Sequence, residues 1–230
     1  ADESLRVATV WAAACSVARQ LTRAPEALIA CQRAVVLNPT SASYRLSLAD
    51  LQRSSVFPSL FNLTASSEQL TIARSLDPTS AAVVYSLAAV HSLAGHLDVA
   101  VSLWREAEAL AGPDEVEVRA MALAERTQVQ TRMADWSTRA QDLATLQADA
   151  IAALDAGRLP VISPWASLGL ENFDATLVRR IATAYMGATV ASTVGTLAYP
   201  PLPVDEEGVD DGASLAALDD VERVVRVGLV

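Results

Sequence analysis

The sequence predicts an all-α fold in which helical hairpins stack into a superhelix, or α-α solenoid. The segment 81–113 shows the unit most clearly, because its apolar residues recur every three or four positions in two successive runs. Gly95 lies between the runs, where a helix commonly ends on a left-handed residue. Pro39, Pro78 and Pro113 would close successive hairpins, at intervals of 39 and 35 residues. The near-constant interval predicts a repeated hairpin.

The intervals lie close to the tetratricopeptide period of about 34 residues. Trp11 in the first hairpin and Leu48 in the second occupy apolar positions of that pattern. In the third hairpin, the residues at the Leu, small, Ala, aromatic and Ala positions are, in that order, Leu87, Ala88, Ala100, Trp104 and Ala107. The second hairpin is about five residues longer, with the excess in a turn near 54–67. The alternative is an unrelated helical bundle whose prolines are evenly spaced by accident.

After the repeats at 3–113, the pattern predicts a terminal pair of helices at 114–157, which Gly157 ends. Residues 158–198 would form an extended crossing, braced by Pro160 and Pro164, and one more helix. An acidic linker is predicted at 199–223, and the β-branched run 224–230 predicts a buried strand. The strand would be the stub of a further domain.

The net charge of −10 argues against a nucleic-acid partner, because phosphate binding depends on clustered cations. The uncharged segment 181–204 is only mildly apolar, since it contains Thr, Ser, Gly and three Pro residues. It therefore predicts a buried helix running into a loop rather than a membrane span.

Cys15 and Cys31 fall on the two helices of the first hairpin, and we expect them to be buried free thiols. Free thiols suit a reducing compartment, so the expected location is cytoplasmic or nuclear. A disulfide or a metal site is not expected, because there is no Cys-x-x-Cys and His91 and His96 lie elsewhere. Both histidines are expected to pack in the core or at the surface.

No catalytic residues are predicted. The chain lacks a glycine-rich phosphate loop and a Gly-x-Ser-x-Gly elbow, and its paired carboxylates crowd only into the acidic linker. No bound cofactor or metal is expected. Site chemistry alone therefore predicts a scaffold that binds proteins or peptides.

The order of short motifs resembles the protein O-GlcNAc transferase family. The residues that carry the resemblance are Asp135-Trp136, Arg158-Leu159-Pro160, Pro164, Ser167-Leu168 and Val225-Arg226-Val227-Gly228. The resemblance implies repeats, a transitional helix pair and a Leu-Pro crossing that lead into a two-lobed α/β glycosyltransferase. It also implies that a parent protein transfers N-acetylglucosamine from UDP-GlcNAc to Ser or Thr hydroxyls of proteins. The related SPINDLY-type protein O-fucosyltransferases share this architecture.

The resemblance assigns protein substrates to the concave groove of the repeats, but the fragment itself would carry no catalytic residue. The family's ladder of Asn residues would fall on Ala13, Ser47 and Ser86, of which the two serines could still bind peptide. Arg45 is a third candidate for the groove, as the one basic residue there that suggests a clamp for the carboxylate of a chaperone tail, the ligand considered for a plain adaptor. Two alternatives remain: a plain tetratricopeptide adaptor, and an oligomerisation arm that forms a homodimer through the repeats.

Overall fold

The computed structural model describes residues 2–194 of the chain. Within this part, α-helices follow one another as α1 (Asp2–Gln20), α2 (Ala24–Leu37), α3 (Ala42–Arg53), α4 (Leu63–Leu76), α5 (Ala81–Leu93), α6 (Leu97–Leu110), α7 (Val116–Arg132), α8 (Arg139–Asp155), α9 (Pro164–Ser167) and α10 (Ala175–Val194). No strand occurs among these residues. The predicted linker at 199–223 and strand at 224–230 lie outside the described residues, as do residues 195–198.

Helices α1 to α6 form three consecutive hairpins, and α7 packs on α6 before α8 packs on α7. The all-α prediction is confirmed for the described residues. The structure divides into two units at Gly187 and Ala188, and the contacts described below lie within the first. Of the second unit, the structure describes only the end of α10.

Local sequence explains several helix boundaries. The side chains of Ser41, Asn62 and Ser80 accept hydrogen bonds from backbone amides three residues further on, at the starts of α3, α4 and α5. Gly95 and Gly157 have φ of +86° and +68°, so both hold the left-handed conformation predicted for a helix end. The extra residues of the second hairpin form a turn that contains a short 3-10 helix, Pro58–Leu60.

The largest core cluster joins α3 to α7 around Trp104, whose side chain is 1% exposed. The other residues at the repeat positions are also buried, except for half-buried Trp11: Leu48, Leu87, Ala88, Ala100 and Ala107. A second cluster fills the first hairpin and its contact with α3. A third joins α7 and α8 to Ile162, Phe173 and α10.

The prediction of free thiols is wrong, because Cys15 and Cys31 form a disulfide between α1 and α2. Both side chains are 1% exposed, and their Cα atoms lie 5.0 Å apart. The two repeat positions face each other across the hairpin, which places two small side chains at bonding distance. Since neither cysteine is a free thiol, the expectation of a reducing compartment loses the observation on which it was based.

We expect reduction of this disulfide to lower the free energy of unfolding by about 3 kcal/mol, because the bond closes a loop of about 16 residues in the unfolded chain. Urea unfolding with and without dithiothreitol measures the loss. The double variant Cys15→Ala/Cys31→Ala is the control and should not respond to the reductant. Two titratable thiols in the denatured, unreduced protein would contradict the assignment.

Candidate functional site

An open groove of about 740 Å³ lies beside α7. We call it the α7 groove, and its walls are α5 at Tyr85, one face of α7, residues 159–170 and α10 at Tyr185. The apolar side chains that line it are Met121, Leu146, Leu159, Pro160, Val161, Ile162, Trp165 and Leu170. Concave sites with apolar walls and a few polar groups are typical of ligand and peptide binding.

Helix α7 presents a regular stripe to the groove. The residues of the stripe are Glu117, Met121, Glu125, Gln128 and Arg132. Spacings of three and four residues place these side chains on one helix face. At about 1.5 Å per residue, the stripe is about 22 Å long, which is enough for an extended segment of six or seven residues.

The opposite wall is the proline-containing crossing. Pro160 is buried, and its carbonyl oxygen accepts a hydrogen bond of 2.8 Å from the hydroxyl of Tyr185. The crossing is non-helical through residue 163, but Pro164 then begins α9 rather than extending the crossing as predicted. Proline suits the first turn of a helix, where its missing N–H has no partner to lose. The turn leaves Trp165 85% exposed at the groove edge.

Two polar groups lie half-buried among these apolar walls, the hydroxyl of Tyr85 and the carboxylate of Glu125. Burial raises the pKa of Glu125, although the positive charge of Arg53 opposes the shift. Burial also raises the pKa of Tyr85, and the negative charge of Glu125 adds to the effect. The phenol therefore stays protonated near neutral pH and can donate a hydrogen bond.

Arg53 does not pair with Glu125. Its Nε donates to Asp50 at 2.9 Å, and one terminal nitrogen reaches the hydroxyl of Ser86 at 3.5 Å. Ser86 in turn donates to the same Asp50 oxygen at 3.0 Å. This closed network joins α3 to α5 and uses the hydrogen-bonding groups that a ligand would need.

The residues that were predicted to bind peptide in the concave groove of the repeats do not lie in the α7 groove. Ser86 is 3% exposed and already bonded. Arg45 donates to the carbonyl oxygen of Pro39 and to Gln69 of α4, at 3.0 and 2.9 Å. Ser47 is half-buried on α3, and none of the three lines the α7 groove. Tyr85 and Glu125 lack a distinctive spacing in sequence; the polar side chains along one face of α7 could have indicated Glu125, but Tyr85 lies on α5 and had no such signal.

The motif residues Asp135 and Trp136 have local roles. The carboxylate of Asp135 accepts from Gln130 Nε2 at 2.8 Å and from the Ser137 hydroxyl and amide. These hydrogen bonds, that of Gln130 first, lower the pKa of Asp135 to about 2. Trp136 is half exposed, and the guanidinium of Arg139 lies 4.8 Å from its ring centroid. Both residues shape the turn before α8, whereas Leu159 and Pro160 line the groove.

A buried charge network behind the groove was not predicted. Arg126 of α7 is 5% exposed and donates to Asp142 of α8 at 2.8 and 3.0 Å and to Glu108 of α6 at 2.6 and 3.2 Å. Burial disfavours its charge, but the hydrogen bonds to both carboxylates outweigh burial and hold the pKa of Arg126 above its ordinary value. The network joins three helices and thereby holds α7 in place.

Two further observations concern sites other than the groove. His91 and His96 lie with their Nδ1 atoms 3.4 Å apart at the α5–α6 turn. Burial, followed by the charge of His96, lowers the pKa of His91.

Within residues 2–194, no three His, Cys, Asp or Glu side chains are gathered as metal ligands would be. Nor does that part of the chain contain a helix long and apolar enough to cross a membrane.

Comparisons with known proteins identify the fold. No protein-family model matches the chain, and no curated protein matches its sequence. The crystal structure of PcrH in complex with the chaperone binding region of PopD has a TM-score of 0.50 and 22% identity, over 58% of this chain and 96% of that one. The crystal structure of MamA protein has a TM-score of 0.52 and 16% identity, over 84% of this chain and 96% of that one. The fold is of the tetratricopeptide-repeat type.

Proposed function

We propose that this chain is a protein-interaction scaffold and that a segment of a partner protein lies in the α7 groove. The observation that carries the proposal is the groove itself, about 740 Å³ of open space with apolar walls and two half-buried polar groups. The similar fold of PcrH was crystallised with a region of another protein, PopD, which shows that a chain of this fold can accept a protein segment.

The proposal is tested by selecting binders from a random dodecapeptide display library. Peptides selected on the wild-type protein should lose about tenfold in affinity on the variants Met121→Arg and Trp165→Ala, because both alter the groove walls. The matched control is Val36→Arg on α2, where the side chain is 71% exposed. Equal affinity for all four proteins, or no selected peptide, would overturn the proposal.

A second candidate is the substrate-binding part of a protein O-GlcNAc transferase or a related O-fucosyltransferase. The ordered packing of Pro160 against α10 favours it, since the resemblance implies such a crossing after the terminal helix pair. In this case UDP-GlcNAc would bind outside the described residues, and the protein would be cytoplasmic or nuclear. The protein, with any sequence its gene encodes after Val230, can be incubated with labelled UDP-GlcNAc and an acceptor protein. Absence of label would overturn the O-GlcNAc transferase, and the same assay with a labelled fucose donor tests the O-fucosyltransferase.

Self-association through the repeats is a further arrangement compatible with a scaffold. Sedimentation velocity at several concentrations separates a homodimer from a monomeric adaptor. A molecular mass that stays monomeric at every concentration would exclude self-association.

A further inference from the structure

We propose that the α7 groove selects segments in which a lysine or arginine side chain is flanked by apolar residues, with Glu125 as the group that recognises the cation. The inference rests on the proposed function and specifies its ligand chemistry. A carboxylate that is half-buried in an apolar groove is complementary to a cationic side chain with an aliphatic stem.

The first reason is that Glu125 has no partner of its own. Among the residues that the structure describes, its carboxylate makes no hydrogen bond and no ion pair. The cation whose charge acts on it is that of Arg53, which is bonded to Asp50 and Ser86. Burial raises the pKa of Glu125 because the loss of solvation outweighs the opposing charge of Arg53. An incoming guanidinium or ammonium group would supply the missing hydrogen bonds.

The second reason is the surroundings of Glu125. Met121 lies one turn before it on α7 and, like Tyr85 of α5, lines the groove, so methylene groups of a basic side chain would meet apolar surface. The hydroxyl of Tyr85 can donate to a backbone carbonyl of the segment. Leu159, Pro160 and Trp165 on the opposite wall would contact the flanking apolar residues.

The third reason is charge. Two arginines also line the groove. Arg132 belongs to the same stripe, but seven helical residues place it about 10 Å from Glu125, where exposed charges are largely screened. Arg139 is bonded to Glu171 and Thr131. Arg45, the one basic residue that suggested binding of a terminal carboxylate, is bonded elsewhere. The net charge of −10 also favours the approach of basic rather than acidic segments.

The stability of a Glu125 variant distinguishes a binding role of this carboxylate from a structural one. An acid whose folded pKa is raised binds its proton more tightly in the folded state, so its ionised form lowers stability at neutral pH. The variant Glu125→Gln should therefore have an unchanged or higher Tm. If the carboxylate held the fold together, the same variant would have a lower Tm.

The experiment uses peptides selected from the random dodecapeptide library on the wild-type protein, followed by fluorescence anisotropy with synthetic peptides. The selected peptides should contain Lys or Arg between apolar residues. Replacing that basic residue by glutamine should weaken binding to the wild type about tenfold. On Glu125→Gln, the two peptides should bind within about twofold of each other. The control Glu26→Gln, at an exposed position of α2, should keep the tenfold preference.

The outcomes separate the two proposals. Selected peptides that depend on Met121 and Trp165 but lack basic residues would overturn the charge recognition and leave the groove function intact. A tenfold preference for the basic peptide over its glutamine version that persists on Glu125→Gln would also overturn the charge recognition and leave the groove function intact. A failure to select any peptide that depends on the groove would overturn both.

Discussion

Replacing Arg126 by methionine is expected to lower the free energy of unfolding by about 3–5 kcal/mol, because it leaves a buried carboxylate without its cation. Asp142 is 6% exposed and accepts two hydrogen bonds from the Arg126 guanidinium. Methionine fills a similar volume, so the loss reports the broken charge network rather than a cavity. Urea unfolding followed by circular dichroism measures it.

Two further variants make the result specific. Arg33→Met removes an exposed arginine of α2 and should change stability by less than about 0.5 kcal/mol. Adding Asp142→Asn to Arg126→Met should recover part of the loss, because the unpaired charge is then gone. A loss below about 1 kcal/mol for Arg126→Met would show that the network does not hold α6, α7 and α8 together.

Trp104→Ala is expected to cost about 3–5 kcal/mol, since it removes a large side chain from the centre of the main core cluster. The side chain is 1% exposed and belongs to the cluster that joins α3 to α7, so its removal leaves a cavity among several packed helices. The same urea titration gives the value.

Two control variants test whether the loss comes from the large buried side chain of Trp104. Among residues 2–194 its buried indole N–H has no hydrogen-bond partner, so Trp104→Phe removes an unsatisfied donor and should cost much less than the alanine variant. Trp165→Ala, at a position 85% exposed, should stay within about 0.5 kcal/mol of the wild type. Equal losses for Trp104→Ala and Trp165→Ala would contradict the assigned core.

The α7 groove itself was not predicted from the sequence. The resemblance assigned protein binding to the concave groove of the repeats, and it named Leu159 and Pro160 only as part of a transition motif; both line the α7 groove. The peptide-binding candidates on α3 and α5 were Arg45, Ser47 and Ser86. In the structure Arg45 donates to the Pro39 carbonyl and the Gln69 side chain, and Ser86 donates to Asp50. A side chain's partners across helices depend on the packing angle, which helix periodicity does not report.

Sequence alone determined the helical hairpins, because apolar periodicity, the caps Ser41 and Ser80, and the turn at Gly95 act over a few residues of chain. Only the tertiary structure decided that Cys15 bonds Cys31, that Arg126 joins Glu108 to Asp142, and that Tyr85 and Glu125 share one groove. Each of these pairs is separated by 16 to 40 positions. Their meeting depends on how the helices stack, and stacking is a property of the assembled core rather than of any local segment.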